Sequence, residues 1–233
     1  MICAIHQPQT FPWLGYIAKI MQSDVFVILD NVQFKKNEWQ NRNRIKTQQG
    51  PQWLTVPVLH NFGQLISEVE INNNVNWRHK HIQSLQTNYA KADYFNQLMR
   101  EIEEIYDREW NHLREFNLAG IKWILRLLKI NTPIFMASEI PELKDRPEIT
   151  PDERLILITR AVHADSYLSG AGGRDYLQTE LFPRQNIRLM FQQFVHPRYK
   201  QLHGDFISHL SVLDLLFNEG PDQANKIIKG GIR

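Results

Sequence analysis

The N-terminal part of the chain reads as strand, helix and strand, and this order narrows the possible folds more than any other feature. Residues 2–5 form an apolar run that ends before Pro8, as a buried strand does. Residues 11–21 carry apolar side chains three and four positions apart, which predicts an amphipathic helix beginning near Pro12. Residues 25–29 are uniformly apolar and rich in β-branched side chains, which predicts a buried strand. This order indicates a βαβ unit, and therefore an α/β fold with a mostly parallel sheet.

A small antiparallel insertion is predicted over about residues 40–72. A hairpin should turn around Gly50 and Pro51. Residues 66–71 alternate Ile, Val and Ile with Ser and Glu, which predicts a half-buried strand.

The middle and the end of the chain continue the α/β pattern. The region of about residues 77–130 is predicted to form three helices, with breaks near residues 88–92 and near Asp107. Thr150 and Glu153 form a capping box, which predicts the start of a helix.

Short strands are expected at residues 167–168 and 187–191, and helix should resume at residues 174–177. A final helix over residues 211–218 should end at Gly220. Because we find no repeat and no low-complexity linker, we expect one domain spanning residues 1–233.

Composition excludes several classes of protein. The net charge of +2 excludes a generally basic nucleic-acid coat, and the single cysteine excludes a disulfide framework and a Cys-rich zinc site. Hydrophobic residues make up 42% of the chain, which excludes a disordered chain. No apolar run approaches the roughly 18–20 residues that span a bilayer, and no signal peptide is recognisable. We expect a cytoplasmic globular protein without a structural metal, whose oligomeric state is open.

The first candidate site follows the first predicted strand. Ligands of open α/β sheets bind at the carboxyl ends of strands, and helix N-termini there attract phosphate. Gly15 would let a ligand or a backbone segment approach closely. The alternative is a Pro-rich loop whose aromatic side chains pack in the core. The binding candidates here are Gln7, Trp13, Gly15 and Tyr16, with His6 as a catalytic candidate.

The second candidate site follows the second predicted strand. Residues 35–46 contain five cationic residues and one acidic residue. Arginine binds phosphate and carboxylate with two parallel hydrogen bonds, and alternation along a strand would place Arg42 and Arg44 on one face. The alternative is a solvated hairpin edge, where cations discourage aggregation. The candidates are Asp30, Gln33, Lys35, Trp39, Asn41, Arg42, Asn43, Arg44 and Lys46.

Two further segments lie late in the chain. A glycine-rich loop over residues 169–174 can form a nest of backbone N–H groups that binds an anion, although a structural turn is the more common reading of a lone glycine loop. The candidates there are Ser169, Gly170, Gly172 and Arg174. His196, Tyr199 and Gln201 follow the last predicted strand, so they could reach the same sheet edge. His79 and His81 are two positions apart on a predicted helix and do not share a face, so no metal site is predicted.

Several motifs together resemble the WbqC-like family. They are the runs HQPQTFPWLGYIAKI, DVFVILDNVQFKKNEWQNRNRIK, WLTVPV, YLSGAGGRDYL, HPRYKQ and LSVLDLLFNEG, which cover nearly the whole chain. The resemblance implies a role in bacterial surface-polysaccharide biosynthesis. For some members of the family, transfer of glycine or another aminoacyl group to a sugar of the O-antigen of lipopolysaccharide has been suggested.

The chain also shows a more distant resemblance to the HIGH-superfamily nucleotidylyltransferases, such as pantothenate synthetase. Trp13-Leu14-Gly15-Tyr16 stands where that family has H-x-G-H, so both motif histidines are replaced. Ser169 and Arg174 keep the spacing of a late Ser-to-Arg motif. This resemblance implies a Rossmann-like sheet and ATP with Mg²⁺ as cofactor.

The two resemblances suggest one chemistry, in which ATP activates a carboxylate and an amine then attacks it. They imply that Gly15 and Lys19 approach the nucleotide phosphates, and that Ser169 and Arg174 hold the β- and γ-phosphates. The expected function is a nucleotide-dependent aminoacyl or glycyl transferase or an amide ligase. Its substrates would be a nucleotide, an amino acid or an amino-sugar nucleotide. The groups expected to engage a carboxylate or a sugar-nucleotide diphosphate are Arg42, Arg44 and Lys46, and the catalytic candidates are His6, Lys19 and Lys35.

An alternative is a non-catalytic protein that binds a sugar nucleotide or assists polysaccharide assembly, which the chain's 17 Asn, 18 Gln and six Trp residues suit equally well. A nucleic-acid-binding module is disfavoured by the net charge.

Overall fold

The computed structural model of the chain describes residues 1–144, 146 and 148–233. Its strands, in chain order, are β1 (Ile2–His6), β2 (Val25–Ile28), β3 (Arg42–Thr47), β4 (Gly50–Thr55), β5 (Val58–Leu59), β6 (Glu70–Ile71), β7 (Ile134–Met136), β8 (Ser166–Ser169) and β9 (Arg188–Phe191). Its α-helices are α1 (Leu14–Met21), α2 (Trp77–Tyr89), α3 (Phe95–Asp107), α4 (Leu113–Leu127), α5 (Pro151–Ala161), α6 (Leu181–Arg184) and α7 (Val212–Gly230).

Five parallel strands form the central sheet of the described chain, in the order β7-β2-β1-β8-β9. The chain moves outward from β1 through β2 to β7, then returns to the other side of β1 with β8 and β9. The strand order therefore reverses between β1 and β8, which is the topological switch point of a doubly wound sheet. The predicted α/β, Rossmann-like fold is confirmed.

Alternate residues of the central strands enter two separate hydrophobic cores. On β1, Ala4 belongs to one core, while Cys3 and Ile5 belong to the other. The first core also contains side chains of α1, α7 and the three helices α2–α4, and the second contains side chains of α5 and α6. Because both faces of a parallel sheet are covered in this way, its strands are apolar throughout, which explains the unbroken run of β2.

The predicted hairpin is confirmed: β3 and β4 pair antiparallel, with Thr47 opposite Gly50. The strand predicted over residues 66–71 is wrong for most of its length. Residues Ile66–Glu68 form a 3₁₀ turn, and only Glu70–Ile71 is a strand. Ile66 and Val69 are both fully buried, and side chains three positions apart share a side in a helical turn but not in a strand.

The three helices predicted over residues 77–130 are confirmed as α2, α3 and α4. The predicted end of the last helix is only partly right, because the chain bends at Gly220, which has a φ of 73°, and continues helically to Gly230. The helix predicted at residues 174–177 is also wrong, since Ala171–Asp175 forms a 3₁₀ turn.

Candidate functional site

A pocket of about 860 Å³ opens at the carboxyl ends of β1, β2 and β8. We name it the switch-point pocket, because His6 at the end of β1 and Ser169 at the end of β8 both line it. Open α/β sheets bind ligands in the crevice at this position. Eight of the residues predicted from the sequence line it: His6, Gln7, Lys19, Gln33, Lys35, Ser169, Gly170 and Gly172.

The wall of the switch-point pocket carries only positive charge in the described part of the chain. Its cationic side chains are Lys19, Lys35, Arg146 and Arg154, and no described Asp or Glu lines it. Charges of one sign on the walls of a cleft raise the local concentration of ligands of opposite charge. The charge of this wall therefore favours an anionic ligand over a cationic one.

Lys19 supplies the most deeply buried of these charges. It lies on α1, is 3% exposed, and its Nζ donates a hydrogen bond of 2.8 Å to the carbonyl oxygen of Ile5. Burial lowers the pKa of Lys19 to about 7, because an ammonium group loses its hydration there. An amine with such a pKa can both bind an anion and exchange a proton near neutral pH.

His6 contributes a neutral imidazole. Its Nδ1 lies 3.1 Å from the carbonyl oxygen of Gln7, and its ring makes an edge contact with Tyr16 at 4.9 Å between centroids. Burial, helped by the charge of Lys19, lowers the pKa of His6 to about 3. At neutral pH this imidazole acts through hydrogen bonding and carries no charge.

The glycine loop after β8 presents bare backbone to the pocket. Cβ atoms added at Gly170 and Gly172 would meet no atom within 4 Å. Neither glycine has a positive φ, so neither backbone strain nor packing requires glycine there. Gly173 differs, because an added Cβ would lie 2.1 Å from Ser169 Oγ. Open space over two pocket-lining glycines is suited to close approach of a ligand.

Several pocket residues were not found from the sequence. Arg154 lies in the first turns of α5, and its Nη1 is 3.5 Å from the carbonyl oxygen of Asn31. The side-chain oxygen of Asn31 is buried without a hydrogen-bond partner. The capping box at Thr150 predicted where α5 begins. It could not predict that the start of α5 lies beside the carboxyl end of β1. The other pocket residues that were missed include Arg146 and Tyr176.

The space beside Gly15, the glycine of the H-x-G-H-like segment, is not open. A Cβ at Gly15 would lie 2.0 Å from Cη2 of Trp13, so the Trp13 indole already fills this space. Tyr16 is 2% exposed and its hydroxyl has no hydrogen-bond partner. The space beside Gly15 is therefore taken by the side chain of its own neighbour, and contact of Gly15 with a ligand stays a prediction.

The carboxylate of Asp30 is hydrogen-bonded to other groups of the protein. It is fully buried; its Oδ2 accepts hydrogen bonds from Arg114 Nη1 at 2.9 Å and Ser138 Oγ at 2.7 Å, and its Oδ1 accepts one from the backbone N–H of Ser138 at 2.9 Å. Asp30 therefore ties the end of β2 to the segment after β7, and its predicted contact with a ligand is replaced by these internal bonds.

Three candidates of the hairpin are also held internally. Asn41 donates a hydrogen bond to the carbonyl oxygen of Val56 at 3.1 Å, and Asn43 donates one to that of Phe11 at 2.8 Å. Lys46 is 1% exposed, and its Nζ donates to the carbonyl oxygen of Asp205 at 2.5 Å. The predicted contact of Lys46 with a substrate anion is therefore not available in this arrangement.

Tyr199 and Gln201 lie in a buried network rather than at the pocket. Each donates a 2.8 Å hydrogen bond to Oδ2 of Asp214, and Tyr89 donates one of 2.8 Å to Oδ1. Burial raises the pKa of the Asp214 carboxyl group. This network anchors the segment before α7 to the core.

The remaining candidates lie outside the switch-point pocket. His196 stacks on Trp13 with ring centroids 6.4 Å apart. The guanidinium of Arg174 lies over Phe191 at 4.6 Å and does not line the pocket. Trp39, Arg42 and Arg44 form a separate surface with Trp53.

Within the described residues, no group of three or more His, Cys, Asp or Glu side chains is arranged to hold a metal ion. None of the described helices has the length and apolar character to cross a membrane.

The comparisons with known proteins agree with the motifs. The model of the WbqC-like protein family matches residues 7–226. The uncharacterised protein Rv1507c of Mycobacterium tuberculosis is 36% identical over 223 residues, which cover 94% of each chain. No solved structure matches significantly. The family match begins directly after β1 and includes β2, β8 and the start of α5, which border the switch-point pocket, and the chain belongs to the WbqC-like protein family.

Proposed function

We propose that the switch-point pocket binds the phosphates of a nucleotide and that the protein is a nucleotide-dependent aminoacyl or glycyl transferase, or an amide ligase, in surface-polysaccharide biosynthesis. The observation that carries this proposal is the position of Lys19, Lys35 and Arg154 around one cleft at the switch point, without a described carboxylate in its wall. Membership of the WbqC-like family supports the link to polysaccharide biosynthesis, and the charge of the pocket wall supports the chemistry.

The lining residues fit a polyphosphate. The backbone of Gly170 and Gly172 is open to a ligand, and Lys35 and Arg154 would offset the charge of the phosphates. Mg²⁺ in nucleotide sites is usually held by one or two carboxylates together with the phosphates. Because no described carboxylate lines this pocket, the phosphates themselves would have to supply the oxygen ligands.

The proposed reaction has two steps. A carboxylate oxygen of the amino acid attacks the α-phosphorus of ATP and forms a new P–O bond. The bond from the α-phosphorus to the oxygen that bridges it to the β-phosphorus breaks, and pyrophosphate leaves. The amine of the acceptor sugar then attacks the acyl carbon, the acyl–O bond breaks, and AMP leaves. Fixed positive groups at the phosphates stabilise the charge that develops in the first step.

Lys19 suits the second step of this scheme. The attacking amine must lose a proton as its N–C bond forms, and an unprotonated lysine can accept that proton. With a pKa of about 7, Lys19 is unprotonated in a substantial fraction of molecules at neutral pH.

A second candidate function is nucleotide or sugar-nucleotide binding without catalysis. The observation that favours it is the Trp13 indole, which stands where the HIGH superfamily has its first motif histidine and covers Gly15.

ATP–pyrophosphate exchange with a panel of amino acids separates the two functions. A ligase or transferase of this type exchanges pyrophosphate only with its own amino acid, and Lys35→Ala and Arg154→Ala should abolish the exchange. Lys122→Ala, at an exposed position on α4, is the matched control and should retain it. ATP binding without exchange for any amino acid would support the binding function, and absence of both would overturn the proposal for this pocket.

A further inference from the structure

Two arginines and one tryptophan of the β3–β4 hairpin, together with a tryptophan just before β3, form a compact surface, which we name the indole–guanidinium surface. Its members are Trp39, Arg42, Arg44 and Trp53. The rings of Trp39 and Trp53 lie 5.4 Å apart at an angle of 50°. The guanidinium of Arg42 lies 4.1 Å from the Trp53 ring centroid, and that of Arg44 lies 5.6 Å and 5.5 Å from the centroids of Trp39 and Trp53.

The hairpin register produces this surface. Arg42 and Arg44 are two positions apart on β3 and therefore share a face. Arg44 pairs directly with Trp53 across the hairpin. The aromatic faces hold both guanidinium planes in position, so little rotational freedom is left to lose when a ligand binds.

The positive charge of this surface is not neutralised within the protein. Neither arginine forms an ion pair with a carboxylate in the part of the chain that the structure describes. The Nε of each is also buried without a hydrogen-bond partner. Arg44 Nη2 donates a hydrogen bond of 3.4 Å to the carbonyl oxygen of His209, a neutral acceptor that leaves the charge uncompensated. Arg78, which stacks on Trp77 at 4.7 Å, donates a shorter one of 2.9 Å to Asn73. Two oriented cations without a carboxylate are suited to an anionic group of a ligand.

The indoles define the rest of the ligand. Trp53 is 39% exposed. An exposed indole is a surface on which the C–H face of a pyranose ring can pack. The two rings are tilted and do not form the parallel slot that would hold a flat base between them. A nucleic-acid strand also requires a track of cations along its phosphates, whereas this surface has two arginines.

We propose that Trp39, Arg42, Arg44 and Trp53 bind an anionic sugar, in which a carboxylate or phosphate group meets the arginines while the pyranose ring packs on the indoles. None of the four residues lines the switch-point pocket. The proposal therefore does not depend on the function proposed for that pocket.

Saturation-transfer NMR and tryptophan fluorescence with D-glucuronate, glucose 1-phosphate and glucose test the proposal on the whole chain. We expect at least one anionic sugar to bind and glucose to bind much more weakly. Binding of glucuronate alone identifies a carboxylate ligand, and binding of glucose 1-phosphate alone identifies a phosphate ligand. Arg42→Gln and Arg44→Gln should each weaken binding roughly tenfold or more, because each removes a charged donor. Trp53→Leu, at a partly exposed position, should also weaken it.

The matched control is Arg78→Gln, which removes a stacked arginine elsewhere and should leave binding unchanged. The double variant Lys35→Ala, Arg154→Ala should also leave it unchanged, because those residues belong to the switch-point pocket. Loss of binding in that double variant would place the sugar in the pocket and overturn the proposal. Equal binding by wild type and the arginine variants would overturn it too, as would tighter binding of UMP or of an oligothymidylate than of either anionic sugar.

Discussion

The indole of Trp13 covers Gly15, so that a Cβ at position 15 would lie 2.0 Å from the Cη2 atom of Trp13. The indole is itself confined, since it packs against Phe194, His196 and His209 with ring centroids 6.0, 6.4 and 5.1 Å away. Glycine at this position therefore serves packing between the start of α1 and the segment after β9.

Gly15→Ala should destabilise the protein. The added methyl group must displace a confined indole, and such overpacking costs about 1–3 kcal/mol of the free energy of unfolding. Urea denaturation followed by circular dichroism measures the change. An unchanged midpoint would show that the indole moves aside freely.

Gly172→Ala should behave in the opposite way. Because its Cβ enters open space and the backbone is not left-handed, the free energy of unfolding should change by less than about 1 kcal/mol. ATP affinity measured by calorimetry should nevertheless fall, since the methyl group occupies the wall of the switch-point pocket. Equal ATP affinity in wild type and variant would argue against contact between this loop and the nucleotide.

Arg114→Ala should be strongly destabilising. Its partner Asp30 is fully buried, and removal of one member of a buried ion pair costs about 3–5 kcal/mol because the other charge is left uncompensated. Arg100→Ala is the control, because its pair with Glu104 is solvent-exposed and surface pairs contribute little. Equal midpoints of urea denaturation for the two variants would show that the ion pair between Asp30 and Arg114 does not stabilise the fold.

Lys19 should make stability rise with pH between about 7 and 9. Burial lowers the pKa of Lys19 from 10.5 to about 7, so the unfolded chain binds more protons than the folded protein above pH 7. Stability then increases with pH in that range. This pH range ends at about 9, because Cys3 begins to titrate there in the unfolded chain. Burial raises the pKa of Cys3 from 9.0 to about 12 in the folded protein, so above pH 9 Cys3 makes stability fall as the pH rises.

Urea denaturation at several pH values measures this slope, and Lys19→Met should reduce it. Lys122→Met, at an exposed position, should leave the slope unchanged. A slope that persists in Lys19→Met would show that another group is responsible.

Tyr89→Phe should destabilise the protein by about 1.5–3 kcal/mol, because it removes a 2.8 Å hydrogen bond to the buried carboxylate of Asp214. Tyr94→Phe is the control, since Tyr94 is 37% exposed. Thermal denaturation compares the two variants, and similar melting temperatures would indicate that Asp214 finds a replacement donor.

Part of the switch-point pocket was predictable from local sequence because parallel strands place their carboxyl ends together. His6 and Ser169 could be assigned to one edge once each was recognised as the end of a buried strand. Arg154 and Arg146 could not, since they reach the pocket from the segment around the start of α5. No local sequence pattern shows that the segment around the start of α5 lies beside the carboxyl ends of β1, β2 and β8.

The cationic run of residues 35–46 illustrates the limit of local reasoning. Its members were predicted to act together, but Lys35 lines the switch-point pocket, Arg42 lies on the indole–guanidinium surface, and Lys46 is buried beneath Asp205. Alternation along β3 correctly placed Arg42 and Arg44 on one face. It could not show that a segment more than 150 residues later covers the end of the same strand.

The sequence by itself determined the α/β class, the hairpin, the helices α2–α4 and the family, because short-range periodicity and motifs carry that information. Only the tertiary structure decided which polar groups remain available to a ligand. Asp30, Asn43 and Lys46 are buried, bonded within the protein and outside the pocket lining, whereas Lys19 and Arg154 line the cleft although each also bonds a backbone carbonyl oxygen. Burying a polar group requires a partner, and that partner is chosen by the packing of the whole fold.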